Sequence, residues 1–235
     1  MASLADILTT STEALNGSPT DLLPFSGSFG TGQITFFESD DTFVVPDGIE
    51  YVRVRLWGGG GGSFRDSGSS DTFGGGGGGF ALKICKVSPG DSVSVTVGAA
   101  GEFLDRGIPG SDGGTSSFGS FFSATGGEGG SSSGPSLGGE GIGGDINFKG
   151  GGTLFATGGI ESTGGSSGSL LGNGSSPDNP QRFLDFAPVT DNGFLDFLYG
   201  RGDDDSGPGF PGGGLRGDSF SGPVPAESGL VIVEW

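Results

Sequence analysis

Histidine is absent from this 235-residue chain, cysteine and methionine occur once each, and only 10 Lys and Arg stand against 28 Asp and Glu. Without histidine, imidazole acid-base chemistry, the Ser-His-Asp arrangement and His-containing zinc sites are excluded. Cys85, alone, has no partner for an intrachain disulfide. A formal charge of -18 repels phosphate backbones, so nucleic acid is not expected as a partner. No stretch is long and apolar enough to cross a bilayer, so membrane insertion is not expected either. The first twenty residues carry neither the positive nor the apolar region of a secretory signal, which predicts that work outside a cell would require another export route.

Glycine fills the space left by these absences. The chain has 56 Gly and 13 Pro, against roughly 7% and 5% in ordinary domains, and this excess argues against a helical bundle or a doubly wound enzyme. Twenty Phe argue equally against a disordered tether, because disordered segments are poor in aromatics. Some of the chain has to pack.

Alternation identifies where. From Tyr51 to Trp57, Val52, Val54 and Leu56 share one face while Tyr51, Arg53, Arg55 and Trp57 share the other. The preceding Phe43-Val44-Val45-Pro46-Asp47-Gly48 suits a tight turn. A second strand is expected from Phe80 to Val87, with Phe80, Leu82 and Ile84 opposite Ala81, Lys83, Cys85 and Val87. Ser88-Pro89-Gly90-Asp91 turns the chain into a third, in which Val93, Val95 and Val97 alternate with Ser92, Ser94 and Thr96. Leu230 to Trp235 resumes this composition, and so apolar a terminal strand is expected to join the sheet begun near Tyr51. The expected fold class is mainly β: a small antiparallel scaffold closed by the C-terminal strand and carrying glycine-rich excursions. Its scaffold residues are Val52, Val54, Leu56, Trp57, Val93, Val95, Val97, Ile232 and Trp235.

The runs Gly58 to Gly62 and Gly74 to Gly79 have no side chains to bury, so only backbone hydrogen bonds between close segments can order them. Polyglycine II helices offer that geometry, with three residues per turn and about 3.1 Å of rise. Shorter runs follow throughout, interspersed with Phe118, Phe121, Phe122, Phe148, Leu154 and Phe155 as apolar anchors. Ahead of the scaffold, Ser3 to Leu15 permits a short helix with Leu4, Ile7 and Leu8 on one face, read as an attachment element in an N-terminal segment 1–40. The glycine-rich β domain is then 41–235, with 166–228 a divergent insert before the last strand. That insert holds two aromatic clusters, Phe183-Leu184-Asp185-Phe186 and Phe194-Leu195-Asp196-Phe197, the latter followed by Tyr199 and Arg201. Asp203 to Asp205 lack EF-hand spacing, so no metal is assigned. Gly-x-Ser-x-Gly and Gly-x-Gly-x-x-Gly matches in these tracts are chance, having no strand-to-helix context.

The ordered set Phe43 to Gly48, Val52 to Gly62, Gly74 to Ala81, Val87 to Asp91, Val93 to Gly98, Gly113 to Gly119, Ala124 to Gly127 and Gly229 to Trp235 resembles the glycine-rich domain of tailed-bacteriophage tail fibre and adhesin proteins. The resemblance covers residues 41–160 and the last seven. It implies a virion location, in the tail or tail fibre, with other phage tail or virion proteins as partners and a bacterial surface glycan or outer-membrane protein as receptor. It also implies a rigid glycine core presenting loops, so Phe64, Arg65, Phe103, Arg106, Phe183, Phe186, Phe194, Phe197, Tyr199 and Arg201 become the expected receptor contacts. Fibres of this kind imply a homotrimer, and some fibre-tip adhesins a monomer. Two noncatalytic roles compete, receptor binding and purely structural contact with virion subunits. A carboxylate-based glycan hydrolase is the third reading, but no spacing sets a carboxylate pair across a sugar, and no cofactor is expected.

Overall fold

A computed structural model describes residues 32–68, 72–153, 165, 167–169, 173, 211–214 and 226–235. The expected attachment residues Leu4, Ile7 and Leu8, and the expected contacts Phe183, Phe186, Phe194, Phe197, Tyr199 and Arg201, lie outside these described residues.

Twelve strands and no helix occur among the described residues: β1 (Ile34–Phe37), β2 (Asp41–Val44), β3 (Tyr51–Trp57), β4 (Phe64–Arg65), β5 (Thr72–Phe73), β6 (Phe80–Lys86), β7 (Ser92–Thr96), β8 (Ser116–Phe118), β9 (Phe122–Ala124), β10 (Gly141–Ile142), β11 (Ile146–Phe148) and β12 (Leu230–Glu234). One antiparallel sheet has the order β1-β12-β3-β6-β11, the other β10-β9-β8-β7-β2, and neither closes into a barrel. β12 lies where its composition predicts, antiparallel to β3 with Val233 opposite Val54 and Ile232 opposite Arg55. β1 extends the sheet on the far side of β12, so residues 34–37 belong to the scaffold although the sequence reading assigned them to the N-terminal segment.

The inner faces of the two sheets meet in one core. Val52, Val54, Leu56, Ala81, Cys85, Val231 and Val233 come from one sheet, and Phe43, Val93, Val95, Phe118, Phe122 and Ala124 from the other. Val97 and Trp235 are half-buried at its margin, with the Trp235 ring 5.2 Å from Phe43. Burying such side chains contributes roughly 1.5–3 kcal/mol each. The opposite face of the first sheet is also apolar: Trp57, Phe80, Leu230 and Ile232 form a second buried cluster, backed by Leu82 and Phe148. β6 therefore has two apolar faces, and its small residues Ala81 and Cys85 meet the sandwich core while Phe80 fills the cluster behind. Beside that cluster Glu234 accepts from both Arg53 and Arg55. The turns fall where Gly is required: Gly48 and Gly90 have positive φ, next to the Pro46–Ile49 and Ser88–Asp91 reversals.

Beyond the sandwich the chain runs out and back repeatedly as glycine segments, and these are joined by backbone hydrogen bonds with a period of three. Gly58 N–H donates to Gly79 O and Gly61 to Gly76 O; Gly59 donates to Gly114 O and Gly62 to Ser111 O; Gly60 donates to Glu227 O. The same run accepts from Gly127 and Gly130, at Gly59 O and Gly62 O, and from Gly101 at Gly60 O. Successive residues thus bond to different neighbours, and every third residue returns to the same one. A pleated strand cannot do this, because its donors lie in one plane on two sides. Partner numbers fall along the 76–79 and 111–114 segments and rise along 127–130, so both chain directions surround the central run.

Only glycine permits such spacing. A Cβ on Gly60 would lie 1.9 Å from Gly213 O, and one on Gly127 2.0 Å from Gly76 O, both rigid backbone atoms. Larger residues occur where a segment lies at the lattice surface. In Thr125-Gly-Gly-Glu128-Gly-Gly-Ser131 and Leu137-Gly-Gly-Glu140 every third side chain points outward, and Glu128, Leu137 and Glu140 are exposed. Gly58 to Gly62 and Gly74 to Gly79 have no side chain at all, and all are buried.

Candidate functional site: the loop end of the lattice

The lattice has two ends. At the sandwich end, Ser116 Oγ accepts from Gly98 N–H (2.8 Å) and donates to Trp57 O (2.5 Å), while Gly229 N–H donates to Gly98 O. This buried joint ties β3, β8 and β12 to the roots of three glycine segments. At the other end the segments turn. Residues 63–73 connect the first two runs, 103–109 connect the 98–102 and 110–114 segments, and 131–136 connect 125–130 to 137–140.

Two of the loops expected to contact a receptor touch each other there. Gly107 N–H donates to Arg65 O (2.7 Å), and a Cβ on Gly107 would lie 3.2 Å from the Ser67 side chain. The 103–109 loop is closed by an Asp105–Ile108 bridge with Gly107 at positive φ. The third loop, closed by a Ser131–Gly134 bridge, was not singled out from sequence, although Gly-Ser-Ser-Ser-Gly-Pro at 130–135 is a turn signal between two X-Gly-Gly tracts. It is held from beneath by Ser136, whose Oγ lies 3.2 Å from Gly74 O and 3.0 Å from Gly129 O and whose N–H donates to Thr153 Oγ1.

The predicted contact residues divide by exposure. Phe64 is buried, with its ring 5.7 Å from that of Phe73 across the β4–β5 hairpin, so it anchors the loop base. Phe103 and Arg65 are half-buried, and Arg106 is exposed. Leu104, Ile108 and Leu137 are exposed as well; sequence reading named none of these, since an isolated aliphatic residue in a glycine loop carries no periodicity. Four carboxylates at this end are turned to backbone donors: Asp66 to Gly68 N–H, Asp105 to Arg106 N–H, Asp112 to Gly129 N–H and Glu128 to Leu137 N–H. Asp66 and Asp105 cap their own turns, while Asp112 and Glu128 tie neighbouring segments together. No group of three or more metal-ligating side chains converges among the described residues.

The groups whose titration is shifted, Arg55, Cys85 and Glu227, lie outside these loops. Burial, with a smaller contribution from Asp145 and an opposing one from Lys83, pushes the Cys85 thiol up to about 12. Burial and then Arg53 lower the pKa of Arg55. Burial raises that of Glu227, whose carbonyl serves the central glycine run.

No curated protein matches the chain. A family model described as a glycine-rich domain matches residues 35–235, from β1 through β12, and the chain belongs to that glycine-rich domain family.

Proposed function

We propose that the chain is a noncatalytic bacteriophage virion protein, a tail fibre or fibre-tip adhesin that holds its loops on a polyglycine II array towards a bacterial surface receptor. The observation carrying this reading is the lattice: backbone donors repeat every third residue, and the described parts of the connections, 63–68, 103–109 and 131–136, converge at the end opposite the sandwich. Three residues per turn is the polyglycine and polyproline period. A lattice bonded through backbone is indifferent to loop sequence, so loops can vary while the platform stays fixed. The partners are then virion proteins at the sandwich end and a bacterial glycan or outer-membrane protein at the loop end.

The test is adsorption of labelled protein to a panel of bacteria. Replacing 65–68 and 103–109 by Gly-Ser of equal length is expected to abolish adsorption while circular dichroism stays unchanged; undiminished adsorption overturns the reading. A purely structural role has one observation in its favour. β1 and β2 are edge strands, and they expose Ile34 and Val44 at the sandwich end, as a contact with a neighbouring subunit would require. Particles that lack neighbouring proteins when Ile34→Asp and Val44→Asp are introduced, with loop replacement silent, favour that role.

A further inference from the structure

We infer that Arg65 and Arg106 form a subsite for an oxyanion, the carboxylate or phosphate of an acidic saccharide; this rests on the loop-display reading and specifies its ligand. Four of the seven described cations, Arg53, Arg55, Lys83 and Lys149, are ion-paired with Glu234, Asp145 or Glu140. Lys86 ends β6 in the sandwich. The remaining two, Arg65 and Arg106, lie on the two loops joined by the Gly107 to Arg65 hydrogen bond, and neither makes an ion pair among the described residues.

In a chain of charge -18, arginines with no ion-pair partner among the described residues, at an end rich in carboxylates, require an explanation. Asp66 and Asp105, the acidic sequence neighbours of Arg65 and Arg106, accept from backbone N–H groups of their own turns. Arg65 also buries its Nε without a hydrogen-bond partner among the described residues. That Nε is enclosed, so an oxyanion would meet the half-buried guanidinium at its two terminal Nη groups, which form a two-pronged end of their own. Arg106, exposed on the adjoining loop, supplies a second charge. Exposed Leu104 and Ile108 flank it and can cover the apolar face of a sugar ring.

The test is isothermal titration of the full chain with three probes: oligogalacturonate for carboxylate, phosphorylated lipopolysaccharide core for phosphate, and neutral dextran. One acidic probe is expected to bind, more weakly as salt rises, and dextran to stay silent; which probe binds identifies the source of the oxyanion. Arg106→Gln, at an exposed position that leaves folding unaffected, is expected to weaken binding about tenfold or more, and Arg65→Gln likewise. Arg65→Lys is expected to fall between, keeping charge but losing the fork. Lys149→Gln, away from the loops, is expected to change nothing. Failure of both acidic probes, or Arg106→Gln and Arg65→Gln binding as the parent does, overturns the subsite. If those variants are silent while loop replacement abolishes adsorption, the subsite alone falls; if loop replacement is silent too, the display reading falls with it.

Discussion

At a single glycine, a methyl group decides whether the lattice can form. The Cβ of Gly60→Ala would meet Gly213 O at 1.9 Å, where neither atom can yield without shifting a hydrogen-bonded segment. The expected loss exceeds the roughly 1–3 kcal/mol of ordinary overpacking. Gly134→Ala, by contrast, meets nothing within 4 Å, and a denaturant titration of the pair is expected to separate them, with Gly134→Ala within about 0.5 kcal/mol of the parent. Glu227 supplies a titrating counterpart. Its folded pKa is raised by burial, so the proton is held more tightly in the folded state. Its contribution to stability is full below the unfolded pKa and is lost as pH rises through the folded one. Glu227→Gln is therefore expected to raise the melting temperature at neutral pH and to make little difference below about pH 4, where the parent carboxyl is protonated in both states; an unchanged neutral-pH melting temperature contradicts this.

Elements were legible where alternation and length coincide. β3, β6, β7 and β12 carry five to seven residues of β-branched or aromatic character, and they lie within a residue or two of their expected bounds. β8 to β11 have two or three residues each, among them Ser116, Ser117 and Gly141. Their strand character comes from the neighbour to which they bond and not from local preference. The two-faced burial of β6 was hidden for a related reason, because Phe80 and Ala81 are both apolar and only the depth of the facing core separates them. Within the sandwich, Leu56→Ala is expected to cost about 2–5 kcal/mol. Cys85, on the same inner face, reports whether that core opens: with its thiol near 12, alkylation is expected to run about a thousandfold slower than for a free thiol. Labelling at the free-thiol rate would mean β6 does not stay closed against β3 and against β9 of the facing sheet.

For the whole molecule, two kinds of order share one chain. The sandwich is held by side-chain burial, and the lattice by hydrogen bonds among segments that have almost no side chains. The sequence carried a trace of the second kind that the uninterrupted runs conceal. Gly58 to Gly62 and Gly74 to Gly79 are enclosed on every side and are all glycine, whereas the surface segments read X-Gly-Gly, as in Thr125 to Ser131 and Leu137 to Glu140. That spacing marks which third of an extended three-fold segment faces water. Which loops meet at the far end was not legible, since Arg65 and Gly107 are separated by 42 positions and joined only through the lattice register.

Loop display by a rigid platform stands or falls on backbone amide exchange, read residue by residue on the full chain. Gly58 to Gly62 and Gly76 to Gly79 are expected to exchange together and slowly, at rates close to those of β3 and β12, while Ser67, Gly68 and Leu104 exchange fast. Exchange of the central run as fast as those loop tips would contradict the account, because the segments would then be tethers with no platform between the sandwich and the loops.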